Sequence, residues 1–258
     1  MSSEIVMVTT MARDALLFLC LEAIRREDAK VPIVVFSDRG YRSRDLDEIC
    51  MGFDAGLVVR ESAIGYGNSF NVIESMRQCV GTGAKLVHAI EDDTILHRGY
   101  FDWVRNALST TMYACALGRI PGDTGTTWYE SPCVTWRAEC LSKCLELVPL
   151  GYFAETREAM QKIADAAFPH SKYRFGSAEQ DGFFLRCLEF LKWKTAYPDH
   201  SFASHVGWWG YNREGGKPPA GTLDEQIAEC RKLLRDKARR TELFGERITN
   251  SEMGGMAL

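Results

Sequence analysis

The chain has 258 residues, of which 46% are hydrophobic and 26% charged, so it has an ordinary globular composition and enough residues for a sizeable core. Its net charge of −4 gives the whole chain no general attraction for nucleic acids or anionic membranes. We expect no signal peptide, and no membrane span because the longest apolar run covers only 15–21. We also expect a cytoplasmic protein whose nine cysteines are free thiols.

The first half of the chain alternates short apolar strands with helical stretches. Strands are predicted at 4–10, 31–38, 55–62 and 84–90, and helices at 14–28, 43–52 and 68–80. Asp14 is placed to cap the first helix. Apolar strands that are separated by helices predict a parallel sheet covered on both faces.

The second half of the chain is less regular. Strands are predicted at 110–120 and 131–136, with a loop rich in glycine and threonine between them, and a helix is predicted at 178–193. The segment 195–213 has no helical period. Near the end, Thr222 and Glu225 have the spacing of a capping box, which predicts the start of an amphipathic C-terminal helix.

Polar side chains follow the predicted parallel strands at the edge of the sheet where open α/β folds bind ligands. They are Thr9, Thr10 and Arg13, then Ser37, Asp38 and Arg39, then Glu91, Asp92 and Asp93. Adjacent carboxylates repel each other unless a cation or water neutralises them, and hard divalent ions prefer oxygen ligands. The three acids at 91–93 therefore fit either a solvated turn or a metal site, in which Glu91 and Asp93 would share one side.

Residues of the second half could complete such a site. His205 is either an imidazole ligand or a hydrogen-bonded core residue, and Asp181 is either a general base or a carboxylate that stabilises a helix N-terminus. Trp208 could stack on a base or sugar, or pack in the core. His97 is expected on the surface or as a helix cap.

In this order, the motifs resemble the GT-A class of glycosyltransferases, and within it the family-2-like set. The matching stretches, from about residue 4 to residue 213, are VTTMAR, VVFSD, GNSFNVIESM, HAIEDD, SAEQD and SHVGWWG. The sequence departs from the family pattern at Gln180, where glutamate is usual.

The resemblance implies a GT-A (Rossmann-like) fold with a mixed, mostly parallel sheet flanked by helices. A catalytic domain would span 1–215, with a nucleotide-sugar-binding half over 1–98 and an acceptor-side half over 99–215. A C-terminal helix and tail would span 216–258. The implied activity is the metal-dependent transfer of a sugar from a nucleoside-diphosphate sugar, in this family often a UDP-sugar, to an acceptor hydroxyl, with Mn²⁺ or Mg²⁺ as cofactor.

The resemblance also implies roles for single residues. Asp93, Glu91 and His205 would hold the metal, with Asp92 assisting. The donor would be bound by Thr9, Thr10, Arg13, Asp38, Asn71 and Trp208, with Asp38 at the base. Asp181 would be the catalytic base of an inverting displacement, and Glu179 is the alternative because of the departure at Gln180.

Two other functions stay open. A sugar nucleotidylyltransferase has a similar core but needs a glycine-rich phosphate loop after the first strand, which TTMARDALL lacks. A carbohydrate-binding domain without activity would have no need for all of these carboxylates.

The acceptor would be a glycan of bacterial or viral origin, or a hydroxymethylated pyrimidine of phage DNA, in which case the protein would act in the host cytoplasm. The DNA alternative rests on the loop tryptophans Trp128, Trp208 and Trp209 and on the basic residues of the C-terminal helix. These basic residues otherwise form a solvated face. They are Arg231, Lys232, Arg235, Lys237, Arg239 and Arg240.

Overall fold

The computed structural model describes residues 3–61, 64–119, 132–173, 179–206 and 219–236. The strands are β1 Glu4–Thr10, β2 Ile33–Ser37, β3 Ala55–Val59, β4 Leu86–Glu91, β5 Thr94–Leu96, β6 Tyr113–Leu117, β7 Cys133–Arg137, β8 Lys194–Ala196 and β9 Ala203–His205. The helices are α1 Asp14–Glu27, α2 Arg44–Gly52, α3 Ser69–Gly81, α4 Tyr100–Ala107, α5 Ala138–Glu146, α6 Arg157–Ala167, α7 Gln180–Phe190 and α8 Leu223–Arg235.

Within these ranges, seven strands form one sheet in the order β3-β2-β1-β4-β7-β6-β8, while β5 and β9 pair separately. Strands β1 to β4 are parallel, and β7 runs antiparallel to both of its neighbours. In the register of the parallel strands, Thr9 lies opposite Phe36 on one side and Glu91 on the other. The carboxyl ends of β1, β2 and β4 therefore meet at one edge of the sheet.

Strand β1 shows why the sheet is covered on both faces. Ile5 and Met7 pack in a core with α3, α5, α6 and α7, whereas Val6 and Val8 pack in a second core with α1, α2, α4 and α8. Because side chains alternate along a strand, an apolar strand without polar positions needs a helical layer on each face. This confirms the predicted mixed α/β architecture with a mostly parallel sheet.

The predicted N-cap of α1 is wrong. The capping position is Arg13, which makes no side-chain cap hydrogen bond, and Asp14 is the first helical residue. The Asp14 carboxylate instead accepts hydrogen bonds from Tyr41 Oη at 2.7 Å and from Ser43 Oγ at 2.8 Å. Asp14 thereby joins the start of α1 to the segment that follows β2.

The C-terminal helix begins as predicted. Thr222 accepts a hydrogen bond from the Glu225 amide, and the Glu225 carboxylate accepts one from the Thr222 amide at 2.7 Å, which completes the capping box of α8. Elements that were not predicted are α4 and α6 and the three-residue strands β5, β8 and β9. Among the described residues, no helix is both long and apolar enough to cross a bilayer.

Candidate functional site

A pocket of about 300 Å³ opens at the edge where the carboxyl ends of β1, β2 and β4 meet. Its lining combines the ends of these strands with the start of α7 and the end of β9. The lining residues are Thr9, Thr10, Met11, Arg13, Asp38, Arg39, Gly67, Asn68, Asn71, Glu91, Asp93, Pro132, Glu179, Gln180, Asp181 and His205. Open parallel sheets bind ligands at this edge, and the pocket is of the size that holds small molecules.

Three of the candidate metal ligands are close together on one wall of this pocket. One carboxylate oxygen each from Glu91 and Asp93 and one ring nitrogen of His205 lie within 4.8 Å of one another. The Nε2 atom of His205 is 3.1 Å from Asp93 Oδ1 and 3.8 Å from Glu91 Oε2. Two carboxylates and an imidazole that converge in this way are a donor set that fits a divalent cation such as Mn²⁺.

Asp92 lies apart from this cluster. Its carboxylate accepts hydrogen bonds from Thr10 Oγ1 at 2.6 Å and from Arg13 Nε at 3.1 Å, and it also forms an ion pair with Arg13 Nη2. Its side chain is fully buried, while the Arg13 side chain is 19% exposed. Asp92 therefore fixes the position of the Arg13 guanidinium group, which reaches the pocket. Asp92 itself lies behind the pocket wall.

Arg13 also pairs with Asp93, since its Nη1 atom is 2.5 Å from Asp93 Oδ2. Although burial opposes ionisation of Asp93, His205 and Arg13 hold its pKa below the usual range. Burial likewise opposes protonation of His205, yet the facing charges of Asp93 and Glu91 raise its pKa to about 9. Asp93 is therefore ionised at neutral pH, as a metal ligand must be, whereas a cation would have to displace the proton of His205.

The opposite end of the strand edge carries Asp38, which is 6% exposed. One of its carboxylate oxygens accepts a hydrogen bond from the Arg39 amide at 2.9 Å, and burial raises its pKa. Arg39 adopts φ +57° and donates from Nη2 to the carbonyl of Gly67 at 3.1 Å. This contact joins the end of β2 to the segment before α3, so both lie on the same side of the pocket.

Asn71 is nearly fully buried, and its side-chain amide is held by protein atoms. Its Oδ1 accepts a hydrogen bond from Arg60 Nε at 2.8 Å, and its Nδ2 donates to the Phe36 carbonyl at 3.3 Å. Arg60 lies over the ring of Phe36, with Cζ 5.5 Å from its centroid. The structure therefore connects Asn71 mainly to the ends of β2 and β3.

The start of α7 contributes two further carboxylates to the pocket. Asp181 lies in the first turn of the helix, and Glu179 is the N-cap residue, 3.7 Å from Arg157. Between them, Gln180 accepts a hydrogen bond from Ser69 Oγ at 2.9 Å and is almost fully buried. The residue at which the sequence departs from the family pattern thus anchors α7 to α3.

The structure thus brings Thr9, Thr10, Arg13, Asp38, Asn71, Glu91, Asp93, Glu179, Asp181 and His205 to one pocket and places Asp92 directly behind it. Trp208 lies outside the described residues, as do Trp128, Trp209 and the loop 121–130. Arg39, which the sequence placed at the end of the second strand, also lines the pocket. Sequence reasoning missed Asn68, whose only sequence signal is its position before a helix.

The expectation for His97 is wrong. Gly99, not His97, is the N-cap of α4, and the imidazole of His97 is half-buried between β5 and β9. Its Nδ1 is 3.1 Å from the carbonyl oxygen of Ser201, and its Nε2 is 2.9 Å from Ser204 Oγ. These partners are more than a hundred residues away in sequence, so no local pattern indicated them.

No family model and no curated protein match the sequence. Solved structures do resemble the fold. A mannosyltransferase from Pyrobaculum calidifontis, solved in complex with GDP-Man and Mn²⁺, matches with a TM-score of 0.53 and 14% identity over 94% of this chain and 72% of that one. A cytidylyltransferase from Leptospira borgpetersenii matches with a TM-score of 0.52 and 10% identity over 97% of this chain and 100% of that one.

At these identities the comparison shows the fold alone. The chain shares its fold with a mannosyltransferase and with a cytidylyltransferase. The similarity therefore agrees with the GT-A-like architecture, and no activity follows from the fold itself.

Proposed function

We propose that this protein is a metal-dependent glycosyltransferase that moves a sugar from a nucleoside-diphosphate sugar to an acceptor hydroxyl. The observation that carries the proposal is the composition of one pocket. The cluster of Glu91, Asp93 and His205 forms one wall, and the carboxylates of Glu179 and Asp181 lie at the start of α7 in the same pocket. Sugar transfer requires both a site for a diphosphate and a group that accepts a proton.

A divalent cation would be held by Asp93, Glu91 and His205, whose donor atoms already lie close together. When bound, Mn²⁺ or Mg²⁺ would neutralise the negative charge of the leaving nucleoside diphosphate. The P. calidifontis enzyme with the similar fold was solved with Mn²⁺, which supports this choice of metal.

The donor would lie along the carboxyl ends of β1 and β2. Asp38 would accept a hydrogen bond from a base N–H, as its buried carboxylate lies at one end of the pocket. Arg13, partly exposed, would place its positive charge beside the diphosphate, while Thr9 and Thr10 line the path between them. The family resemblance favours a UDP-sugar, and the GDP-Man bound by the P. calidifontis enzyme makes a GDP-sugar the first alternative.

Asp181 would act as the catalytic base. Its position in the first turn of α7 favours the ionised carboxylate, which can take a proton from the acceptor hydroxyl. The acceptor oxygen then bonds to the anomeric carbon as the bond to the diphosphate breaks, and the configuration inverts. Glu179 is the less suitable base because Arg157 already faces its carboxylate at 3.7 Å.

The second candidate is a nucleotidylyltransferase, which the similarity to the L. borgpetersenii cytidylyltransferase favours. The segment after β1 argues against it. Residues 9–13 are TTMAR, in which Met11 and Arg13 line the pocket and no glycine provides a phosphate loop. The products separate the two functions, because a nucleotidylyltransferase releases pyrophosphate from a nucleoside triphosphate and a sugar phosphate.

The acceptor would be a glycan hydroxyl, with a hydroxymethylated pyrimidine of phage DNA as the alternative. In α8, Arg231 Nη2 lies 2.5 Å from the Glu22 carboxylate and Lys232 Nζ lies 3.5 Å from that of Glu229, so part of its positive charge is balanced within the protein. Sugar transfer to hydroxymethylated duplex and not to unmodified duplex would support the DNA acceptor, and transfer to neither would exclude it.

The proposal is tested by measuring nucleoside diphosphate release from a panel of UDP- and GDP-sugars, with Mn²⁺ and with EDTA. We expect release with one donor that requires Mn²⁺ and falls at least about a hundredfold in Asp93→Asn. Asp102→Asn, which changes a carboxylate that is 91% exposed, is the matched control and should retain full activity. Release that is unchanged in Asp93→Asn, or pyrophosphate release from triphosphates instead, would reject the proposed function.

A further inference from the structure

The short strands β5 and β9 bring together candidate metal ligands that are far apart in sequence. β5 starts directly after Asp93, and β9 ends at His205. The strands are antiparallel, with Thr94 opposite His205, Ile95 opposite Ser204 and Leu96 opposite Ala203. Beyond the pair of Thr94 and His205, the Val206 amide donates to the Asp93 carbonyl at 2.8 Å. The register of this ladder therefore decides whether His205 faces Asp93.

A ladder of this length specifies its own register poorly. Each strand has three residues, and β9 contains only Ala203, Ser204 and His205, whose first two side chains are small. A shift of one residue in a strand turns every side chain to the opposite face. Such a shift would replace His205 by one of its neighbours at the site of the cluster.

His97 lies at the other end of the ladder and contacts β9 through backbone and side chain. Its amide donates to the Phe202 carbonyl at 2.8 Å. The Ser201 carbonyl can only accept, so Nδ1 carries the proton of the neutral ring and donates at 3.1 Å. Nε2 is then an acceptor for the Ser204 hydroxyl at 2.9 Å. Both ring nitrogens thus bind groups that a shifted strand would move.

We propose that His97 is a positioning residue that holds β9 in register with β5 and so presents His205 to Asp93 and Glu91. His97 itself lines no part of the pocket and contacts no donor atom of the cluster among the described residues. Its action on the metal rests on the function proposed above, whereas its action on the ladder does not. The two parts can therefore be tested separately.

The first test is the affinity for Mn²⁺ alone, measured from the electron paramagnetic resonance signal of the free ion. His97→Ala should weaken binding about tenfold, as the loss of a supporting residue does at other metal sites. His97→Gln can still accept a hydrogen bond from Ser204 and should recover most of the affinity. His200→Ala changes the neighbouring imidazole, which is 65% exposed, and should leave the affinity unchanged.

Ser204→Ala removes only one of the two ring contacts, and it serves as a second variant where His97→Ala fails to fold. It should also weaken Mn²⁺ binding, and the double variant should be no weaker than the worse single one, because both changes break the same contact. If His97→Ala folds and binds Mn²⁺ with wild-type affinity, the proposal is overturned. If His97→Ala does not fold, wild-type Mn²⁺ affinity in Ser204→Ala overturns it. Equal losses in His97→Ala and His97→Gln would also count against it.

The second test does not depend on any metal. Residue-resolved hydrogen exchange in EDTA should show faster exchange of the Val206 amide in His97→Ala and Ser204→Ala than in the wild type or His200→Ala. If the wild-type protein binds no Mn²⁺ but the Val206 amide exchanges faster in both variants, the proposed function fails and the role of His97 in the ladder stands. Unchanged exchange at Val206 in both variants overturns that role.

Discussion

Asp92 and Asp93 are adjacent carboxylates that share Arg13 and otherwise have different partners. Asp93 faces His205 Nε2 at 3.1 Å in the pocket, and Asp92 accepts from Thr10 Oγ1 at 2.6 Å behind it. Both residues lie in the turn between β4 and β5, so the two carboxylates are not separated by the alternation of a strand. An acidic triplet can thus hold a metal with two of its members and position an arginine with the third.

This division of roles predicts different effects of substitution at the two positions. Asp92→Asn should raise the KM for the donor about tenfold, because an amide offers Arg13 one acceptor oxygen where the carboxyl group of Asp92 has two oxygens facing the guanidinium. Its Mn²⁺ affinity should change less than about threefold, since Asp92 contributes no atom to the cluster. Steady-state kinetics with Mn²⁺ titrations check both values. A loss of Mn²⁺ affinity as large as that of Asp93→Asn would make Asp92 a ligand.

The catalytic base is tested by a pair of conservative substitutions at the start of α7. Asp181→Asn should lower kcat by about 10²–10⁴ with little change in donor binding, because only proton transfer is lost. Glu179→Gln should change kcat by only a few fold, since that carboxylate faces Arg157. The reverse pattern would assign the base to Glu179, and small effects in both variants would place the base elsewhere.

The sequence pointed to single residues of the site but not to their partners. Glu91, Asp93 and Asp38 could be found because acids that follow apolar strands lie at a predictable edge of a parallel sheet. The pairing of Asp92 with Arg13 joins residues 79 apart, and that of His97 with Ser204 joins residues 107 apart. Contacts of this kind depend on the strand order and on the register of β9, neither of which leaves a local pattern.

At the scale of elements, the segment before α3 forms one side of the pocket through Gly67 and Asn68. Gly65 fixes this segment against the region after α5, as its neighbour Tyr66 donates from its amide to the Ala154 carbonyl at 2.9 Å. Gly65 has φ +71°, and a Cβ atom there would meet the backbone of Phe153 at 2.9 Å. Only glycine satisfies both requirements.

Two glycines of this segment provide a matched comparison of stability. Gly67 also has a positive φ, of +66°, but a Cβ atom there would meet nothing within 4 Å. Gly67→Ala should cost about 1–2 kcal/mol for the left-handed backbone alone, and Gly65→Ala should cost more because of the additional clash. Urea denaturation of both variants measures the difference. Equal free energies of unfolding would show that Phe153 moves away without cost.

Element prediction succeeded where a segment was long enough to show a period. The helix α8 was predicted from an apolar stripe and a capping box, and both are present. The strands β5 and β9 have three residues each, which is too short for any alternation to be recognised. The part of the fold that positions His205 was therefore the part least visible in the sequence.

At the scale of the whole molecule, the end of the sheet opposite the pocket contains a buried polar network. Glu4 accepts hydrogen bonds from Arg105 Nε and Nη2 at 2.9–3.0 Å and faces His88 Nε2 at 3.4 Å. His88 and Arg105 lower the pKa of Glu4 from 4.5 to about 2, whereas burial lowers the pKa of His88 from 6.5. Both groups therefore link the stability of the sheet to pH.

The two shifts act in the same direction. Below its usual pKa of 6.5, His88 is protonated more readily in the unfolded chain, so the free energy of unfolding falls as the pH drops. The contribution of Glu4 is complete above 4.5 and is lost as the pH falls toward about 2. The shift corresponds to about 3 kcal/mol, which solvent screening of this partly exposed carboxylate reduces to roughly 2 kcal/mol at neutral pH.

Glu4→Gln should remove the second part of this pH dependence. Urea denaturation between about pH 7 and pH 3 should show a lower stability at neutral pH and a shallower decline below about pH 5 than in the wild type. Glu48→Gln, which changes an exposed carboxylate paired with Arg44, is the matched control and should leave the curve unchanged. A Glu4→Gln curve parallel to that of the wild type over the whole range would contradict the lowered pKa.

The proposed function requires that Glu91, Asp93 and His205 hold a divalent cation beside the diphosphate of a bound donor. The most direct measurement is the anomalous scattering of Mn²⁺ in crystals grown with UDP or GDP. We expect an anomalous peak at Asp93, Glu91 and His205 next to the diphosphate, and the base of the nucleotide at Asp38. A bound nucleotide diphosphate without Mn²⁺ at these three residues, or Mn²⁺ bound elsewhere on the protein, would contradict it.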